Sequence, residues 1–224
     1  MLAFDWPLVK SGRSFYSLVA MPKVTEEHRA TRRSEILADA CRCFARDGFH
    51  STSINDIIRE SGLSAGAVYL YFKSKQQLIA AVVEMTLSTA DELFEELLAD
   101  DAVPSPEETL TFMLDAVMEH AVNNSQFGVD MSRVALHAWA EALRDPEIAD
   151  RIEHTLRNLR GHYAQVARRW QAAGTIDPDT DPEHIGAVLL GTVHAFALQR
   201  LLIPGTDPTE YLSGVRALLA GARG

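Results

Sequence analysis

At 224 residues, 47% apolar and 23% charged, the chain carries enough hydrophobic material for a well-buried core, and it fits one compact domain or a small domain joined to a larger one. Its net charge of −10 is uneven: residues 22–78 hold nine Lys/Arg against seven acids, a net of +2, residues 1–21 add +1, and −13 is left for residues 79–224. A mildly basic head therefore precedes a strongly acidic body, and Cys41 and Cys43, two apart on a helical pattern with diverging side chains, exclude a disulfide between them and suit a reducing cytoplasm.

Residues 1–21 carry Lys10 and Arg13 but mix Trp, Pro, Phe, Tyr and Ser without a continuous apolar run or a small-residue cleavage site. They read as an extension or disordered arm, not a secretory leader, with Met21-Pro22-Lys23 as a second start. After Thr25 the acids Glu26 and Glu27 suit a helix N-terminus, Ile36, Leu37, Ala40, Cys41 and Phe44 form one stripe, and Gly48 is the expected stop. Ser53 with Asp56 is a capping box that opens a helix of about two turns, with Ile54, Ile57 and Ile58 inward and Gly62 as its end. Ser64 caps the next helix. There Val68 and Phe72 pack back on the first two helices, which leaves Ala65, Gly66, Ala67 and Tyr69 outward and Tyr71 between the two roles. Ser74 with Gln77 reads as a further capping box, starting a long helix through Leu78, Val82, Met85 and Leu93.

Two short helices joined by a tight Gly turn, with small residues on the exposed start of the second, meet the requirements of a helix-turn-helix. Ala65, Gly66 and Ala67 let backbone approach base edges, and Tyr69 supplies a hydroxyl and a flat face. Lys73 and Lys75 are expected to grip phosphates, helped by the helix dipole.

These residues carry a resemblance to a known family. Gly48-Phe49, Thr52-Ser53-Ile54, Ile57, Ser61-Gly62-Leu63-Ser64, Gly66, Val68-Tyr69, Tyr71-Phe72, Lys73-Ser74-Lys75 and Leu78 resemble the DNA-binding domain of the TetR (tetracycline-repressor-like) family, over about residues 30–80. The resemblance implies an all-α homodimer: an N-terminal three-helix helix-turn-helix domain, then a larger helical ligand-binding and dimerisation domain. It also implies a repressor released from a palindromic double-stranded DNA operator by a small-molecule effector. By resemblance, Ser53, Tyr69 and Lys75 occupy phosphate-contacting positions, and Asn55, Ala65, Gly66 and Ala67 base-facing ones. The base-facing residues are mostly too small to donate hydrogen bonds, so Asn55, Ser64, the backbone and DNA shape carry more of the specificity. The chain is thus divided into an extension (1–21), a DNA-binding domain (22–76) and a ligand-binding and dimerisation domain (77–224).

In the body, Ser105-Pro106 with Glu108 starts a helix through Leu110, Met113, Leu114 and Val117, and Asp145-Pro146 starts a long one that ends at Gly174. Arg133 to Ile148 is similar to a C-terminal subtype seen in repressors of the choline-to-betaine pathway. Asp181-Pro182 opens a helix apolar on nearly every face, and Pro208 opens the last, through Leu212, Val215 and Leu219. The helix at 182–203 has His194, Gln199 and Arg200 interrupting its apolar run, so it is expected in a core and not in a membrane. Its cover is expected from a second subunit, through this helix and 146–173 or 208–222, with Gly186 and Gly191 permitting close approach.

Met113, Val117, His120, Phe127, His137, Trp139, Tyr163 and Trp170 are the candidate ligand-site residues, aromatic and soft side chains on helices expected to surround a cavity. His120, His137 and His194 have no helical pairing, and without HExxH or CxxC neither a metal nor a cofactor is expected. No Gly-rich phosphate loop follows a strand and no GxSxG elbow occurs, which argues against an enzyme. A helical adaptor that binds only protein would explain the acidic body but leave Tyr69, Lys73 and Lys75 without a role.

Overall fold

Side-chain caps set most of the helix starts, and their spacing sets the element order. The computed structural model describes residues 26–99, 103–123 and 127–221, and among these it is helical with no strand. The helices are α1 (Glu26–Ser51), α2 (Ile54–Ser61), α3 (Ala65–Tyr71), α4 (Lys75–Leu97), α5 (Pro106–Ala116), α6 (Met131–Ala142), α7 (Pro146–Ala172), α8 (Pro182–Leu202) and α9 (Pro208–Gly221), with a π-helical segment, Val117–Asn123, continuing α5. The extension 1–21 and Thr25 lie outside the described residues, as does residue 222 at the end of the last predicted helix.

Ser53, Ser64, Ser74, Ser105, Asp130, Asp145 and Asp181 each accept a backbone N–H at the start of α2 to α8, and Pro opens α5, α7 and α8. The boxes Ser53/Asp56 and Ser105/Glu108 are complete. The expected box at Ser74 is only half formed. Ser74 Oγ accepts from Gln77 N at 3.2 Å, but Gln77 Oε1 accepts from Lys73 N at 2.7 Å, because the longer Gln side chain reaches one residue past the cap. Gly48 does break α1, with φ +77° and ψ 167°, but one further turn follows before Thr52, whose buried hydroxyl donates to the Gly48 carbonyl at 2.7 Å.

One apolar core surrounds the first three helices, with Ile36, Phe44, Ile57, Val68, Phe72 and Leu78 at its centre. It also takes in Phe127, Val134, Ala138 and Ile148 from the loop before α6, α6 itself and the start of α7, so a boundary drawn at residue 76 runs through packed side chains. A second core joins α4, α5, α7, α8 and α9 around Phe94, Leu114, Tyr163, Trp170, Val193 and Phe196. Cys41 and Cys43 are free thiols inside the first core, and burial pushes Cys41 up to about 12, which leaves it inert at neutral pH.

The α7·α8 pair is the most extensive helix contact, and Gly186 is where the two backbones come closest. A Cβ at Gly186 would lie 2.6 Å from the Arg160 carbonyl oxygen and 2.9 Å from Ala164 N. The expectation that Gly186 serves a second subunit is thereby corrected: its small size is used within the chain. At Gly191 a Cβ would meet nothing within 4 Å. Helix α8 is long and apolar enough, by length and composition, to cross a bilayer, yet Gly186, Leu189, Val193 and Phe196 are buried against the body. Gly186→Val is expected to force α7 and α8 apart and cost about 1–3 kcal/mol in urea unfolding, as overpacking does, while Gly191→Ala leaves the fold intact.

Candidate nucleic-acid interface and interior cavity

The outer face of α3 follows from what its inner face buries. Val68 and Phe72 are sealed in the core, with the Arg33 guanidinium 5.1 Å above the Phe72 ring, and this fixes the rotation of a helix of only seven residues. Gly62, at φ +64°, supplies the left-handed turn between α2 and α3, and Ser64 Oγ holds Ala67 N at 3.2 Å. Ser53, Asn55, Ser64, Ala65, Gly66, Tyr69 and Lys73 then lie exposed, Ala67 is half-buried, and Tyr71 packs its ring on the core. A Cβ at Gly66 would meet nothing within 4 Å, so nothing inside the chain requires glycine there. Leu70, absent from the candidate residues, is 59% exposed beside Tyr69 at 38%. Its signal in the sequence was its position, two after Val68 and out of phase with the buried stripe.

The two lysines are held by backbone. Lys75 Nζ donates to the Phe49 carbonyl at 2.8 Å, and Lys73 Nζ donates to the Tyr69 carbonyl. Each bond uses one of the three ammonium protons. Ser53 is similarly engaged, its hydroxyl 2.6 Å from the Asp56 carboxylate, and that hydrogen bonding holds Asp56 below the usual carboxylate range.

Two adjoining chambers occupy the body, of about 200 Å³ and about 490 Å³. Of the eight candidate ligand residues, Trp139 lines the smaller one, Met113, His120, Phe127 and Tyr163 the larger one, and Val117 both. The other two are placed elsewhere. His137 faces the head, its Nδ1 3.1 Å from where a Gly48 Cβ would stand. Trp170 is core: its Nε1 donates to the Pro104 carbonyl at 2.5 Å and pins the segment before α5. Val117, His120 and Ala121 come from the π-helical segment, whose wider turn aims them at the cavity.

His194, an interruption of an apolar run in the sequence, lines both chambers, with its ring 5.0 Å from that of Trp139. Burial pushes its pKa down, so the imidazole is neutral. Among the described residues no cluster of three His, Cys, Asp or Glu side chains is placed to hold a metal ion. Arg200 was also missed. Its Nη2 donates to Asp130 Oδ2 at 2.6 Å and to Ser132 Oγ at 3.2 Å, tying α8 to the cap of α6, while its Nε is buried without a partner. A polar residue in an apolar run looks like an interruption until its partner, 70 positions away, is seen.

Helix α6 touches both regions: Val134 and Ala138 belong to the head's core and also wall the smaller chamber, with Ala135 and Trp139 beside them. Glu141 adds a contact to His50 at 3.9 Å.

Comparison with known proteins agrees with this geometry. Residues 36–82 match the family described as "Bacterial regulatory proteins, tetR family", and residues 106–223 match "BetI-type transcriptional repressor, C-terminal". The HTH-type transcriptional regulator YfiR of Bacillus subtilis is 46% identical over 66 residues, 30% of this chain and 32% of YfiR. UidR of Escherichia coli, another HTH-type transcriptional regulator, is 25% identical over 189 residues, 84% of this chain and 91% of UidR. The solved structure of Salmonella enterica GusR superposes with a TM-score of 0.71 at 25% identity, covering 89% of this chain and 97% of GusR. A transcriptional regulator from Saccharomonospora viridis in complex with choline shares the fold, with a TM-score of 0.68 at 21% identity over 85% of this chain and 96% of that one.

The burial of His194 can be tested by pH. Its pKa is lowered from 6.5 in the folded state, so the unfolded chain binds the proton more readily. The stability it contributes is complete above about pH 6.5 and is lost as pH falls through the folded value. Urea midpoints at pH 7.5 and 5.5 are expected to differ less in His194→Phe than in the wild type.

Proposed function

The chain belongs to the TetR family of bacterial transcriptional regulators, and we propose that it acts as a dimeric repressor released from a palindromic operator by a small molecule bound in the α4–α8 cavity. As a family member it is a DNA-binding regulator and not an enzyme. The observation that carries the finer reading is the double duty of α6, whose Val134 and Ala138 pack in the head's core and wall the cavity. A ligand that displaces those walls moves side chains on which the head is packed. Such coupling is typically about 1–3 kcal/mol and acts through the separation of the two recognition helices. The complex of the Saccharomonospora viridis relative with choline supports an effector site in this fold. A soluble regulator of this kind works in the cytoplasm.

On DNA, Ala65, Gly66, Ala67 and Asn55 approach the bases, with Ser64 at the helix start. Tyr69 and Leu70 present the two large exposed side chains, and Leu70 suits the methyl group of thymine. Ser53, Lys73 and Lys75 sit where phosphates pass, and Tyr71 contributes through the core that orients α3. The dimer uses α8 with α9 in preference to α8 with α7, because the close face of α7 is already occupied at Gly186. Val188, Gly191, Ala195 and Leu202 fall on a heptad stripe of α8, with Val188 66% and Leu202 65% exposed, and Leu218 of α9 is 77% exposed. Apolar area of this kind is normally covered.

Gly66→Ala separates folding from DNA binding. It removes a helix glycine in open space and is expected to raise stability by about 0.5–1 kcal/mol, while weakening operator binding in fluorescence anisotropy by blocking backbone approach. Leu70→Ala is expected to lose roughly 1–3 kcal/mol on the operator and little on random DNA. Equal loss on both would refute base readout by Leu70. Val188→Asp with Leu202→Asp is expected to give a folded monomer in analytical ultracentrifugation that no longer binds a site with half-sites about 10 bp apart.

A further inference from the structure

The arginines of the head differ in what holds them. Arg29 lies 3.9 Å from Glu26, Arg32 2.7 Å from Glu35 and Arg59 3.3 Å from Asp56, and Arg42 and Arg46 share Glu60 at 3.3 Å each. Arg33 is exposed on α1 and makes no ion pair with a described residue. Its guanidinium stands over the Phe72 ring instead, 5.1 Å from the centroid. A ring face attracts a cation without neutralising it, and it leaves the five guanidinium N–H groups without a hydrogen-bond partner. A full positive charge is thereby kept at a fixed place.

That place is the junction between α3 and α4. Phe72 closes α3, its N–H donating to the Val68 carbonyl at 3.0 Å, and the next residue is Lys73. Lys73 and Lys75 also lack an ion pair with a described residue: their ammonium groups rest on the Tyr69 and Phe49 carbonyls, which take a proton but carry no net charge. Arg33, Lys73 and Lys75 are thus all attached to residues 72–75 without a carboxylate, while the other described arginines of the head each have one. Like charges held together in this way repel one another, and a polyanion relieves that repulsion. A guanidinium also presents paired N–H groups in one plane, which match two oxygens of a single phosphate as an ammonium does not.

We propose that Arg33, which belongs to α1 and lies outside the helix-turn-helix, is a further phosphate-binding residue, held on Phe72 so that it grips the backbone of the DNA that α3 enters. The assignment rests on the DNA face proposed above and adds a residue from a third helix to it. Phe72 then has two uses. Its ring anchors α3 in the core and also carries the guanidinium, so one rigid side chain fixes the base-approaching helix relative to the backbone grip.

Arg33→Met tests this, because an unbranched apolar side chain still covers the Phe72 ring while the charge is gone. With the full chain and a random-sequence duplex, followed by fluorescence anisotropy from about 50 to about 200 mM salt, the slope of log affinity against log salt is expected to shrink by about 1 for each subunit bound. For a dimer, the advantage of the wild type over the variant is then about tenfold smaller at the higher salt. Arg33→Lys keeps the charge without the paired N–H groups, and is expected to keep the slope and lose part of the affinity. Arg32→Met removes the same charge one residue away, from an arginine already matched by Glu35, and is expected to leave the slope unchanged. Thermal melts are recorded for every variant. Arg33→Met that melts lower but keeps the wild-type slope would reduce Arg33 to a cover for Phe72 and overturn the assignment, and equal slope changes in Arg32→Met and Arg33→Met would overturn it as an effect of overall charge. Lys75→Ala measured in parallel keeps the two readings apart. A slope that shrinks for Lys75→Ala and not for Arg33→Met refutes the Arg33 grip and spares the DNA face, whereas a slope moved by neither refutes both.

Discussion

Helix α6 is packed from two sides, and the relation between the halves of this chain depends on that constraint. Twelve residues place Val134 and Ala138 in the core that holds the recognition helix, and the same residues, with Ala135 and Trp139, enclose the smaller chamber. A close-packed interior transmits displacement because it has no slack to absorb it. The Arg200 tether adds a polar fixed point, since the cap residue Asp130 is held by a guanidinium from α8. The position of α6 is thus set jointly by the head, the cavity and α8.

In the head, stability and readiness for DNA are divided between opposite faces of very short helices. An isolated helix of seven residues is unstable in water, so α3 exists because Val68 and Phe72 anchor it and Ser64 caps it. The outer face then carries Ala65 and Gly66 exposed, and at Gly66 no internal contact requires glycine. The lysine bonds to the Tyr69 and Phe49 carbonyls, near the ends of α3 and α1, hold the two ammonium groups in place beside the head's helices.

The body divides its labour along one helix. Helix α8 meets α7 at backbone distance through Gly186 and faces the chambers with Val193 and His194, while Val188 and Leu202 stay exposed. A helix that is apolar on every side has no single inner face, and its buried sides are taken by different neighbours.

Local order was legible along the chain because it is governed by local chemistry. The caps at Ser53, Ser64, Ser105, Asp145 and Asp181, the prolines after three of them and the stop at Gly62 marked helix ends, and the Val68–Phe72 stripe distinguished the buried from the exposed side of α3. The helix-turn-helix followed from the signals in the head, and the family from the resemblance of residues 30–80 to a known pattern. What the tertiary structure decided concerns partners distant in sequence. Gly186 looked like a contact for a second subunit and is spent on Ala164; His137 and Trp170 looked like cavity residues and pack against Gly48 and Pro104; His194 and Arg200 looked like interruptions and stand at the chamber junction and the α6 cap. An aromatic or histidine on a helix shows the same local pattern whether it faces a core, a cavity or another domain. Only the crossing of α6, α7 and α8 settles which, because that crossing depends on contacts between residues far apart in the chain.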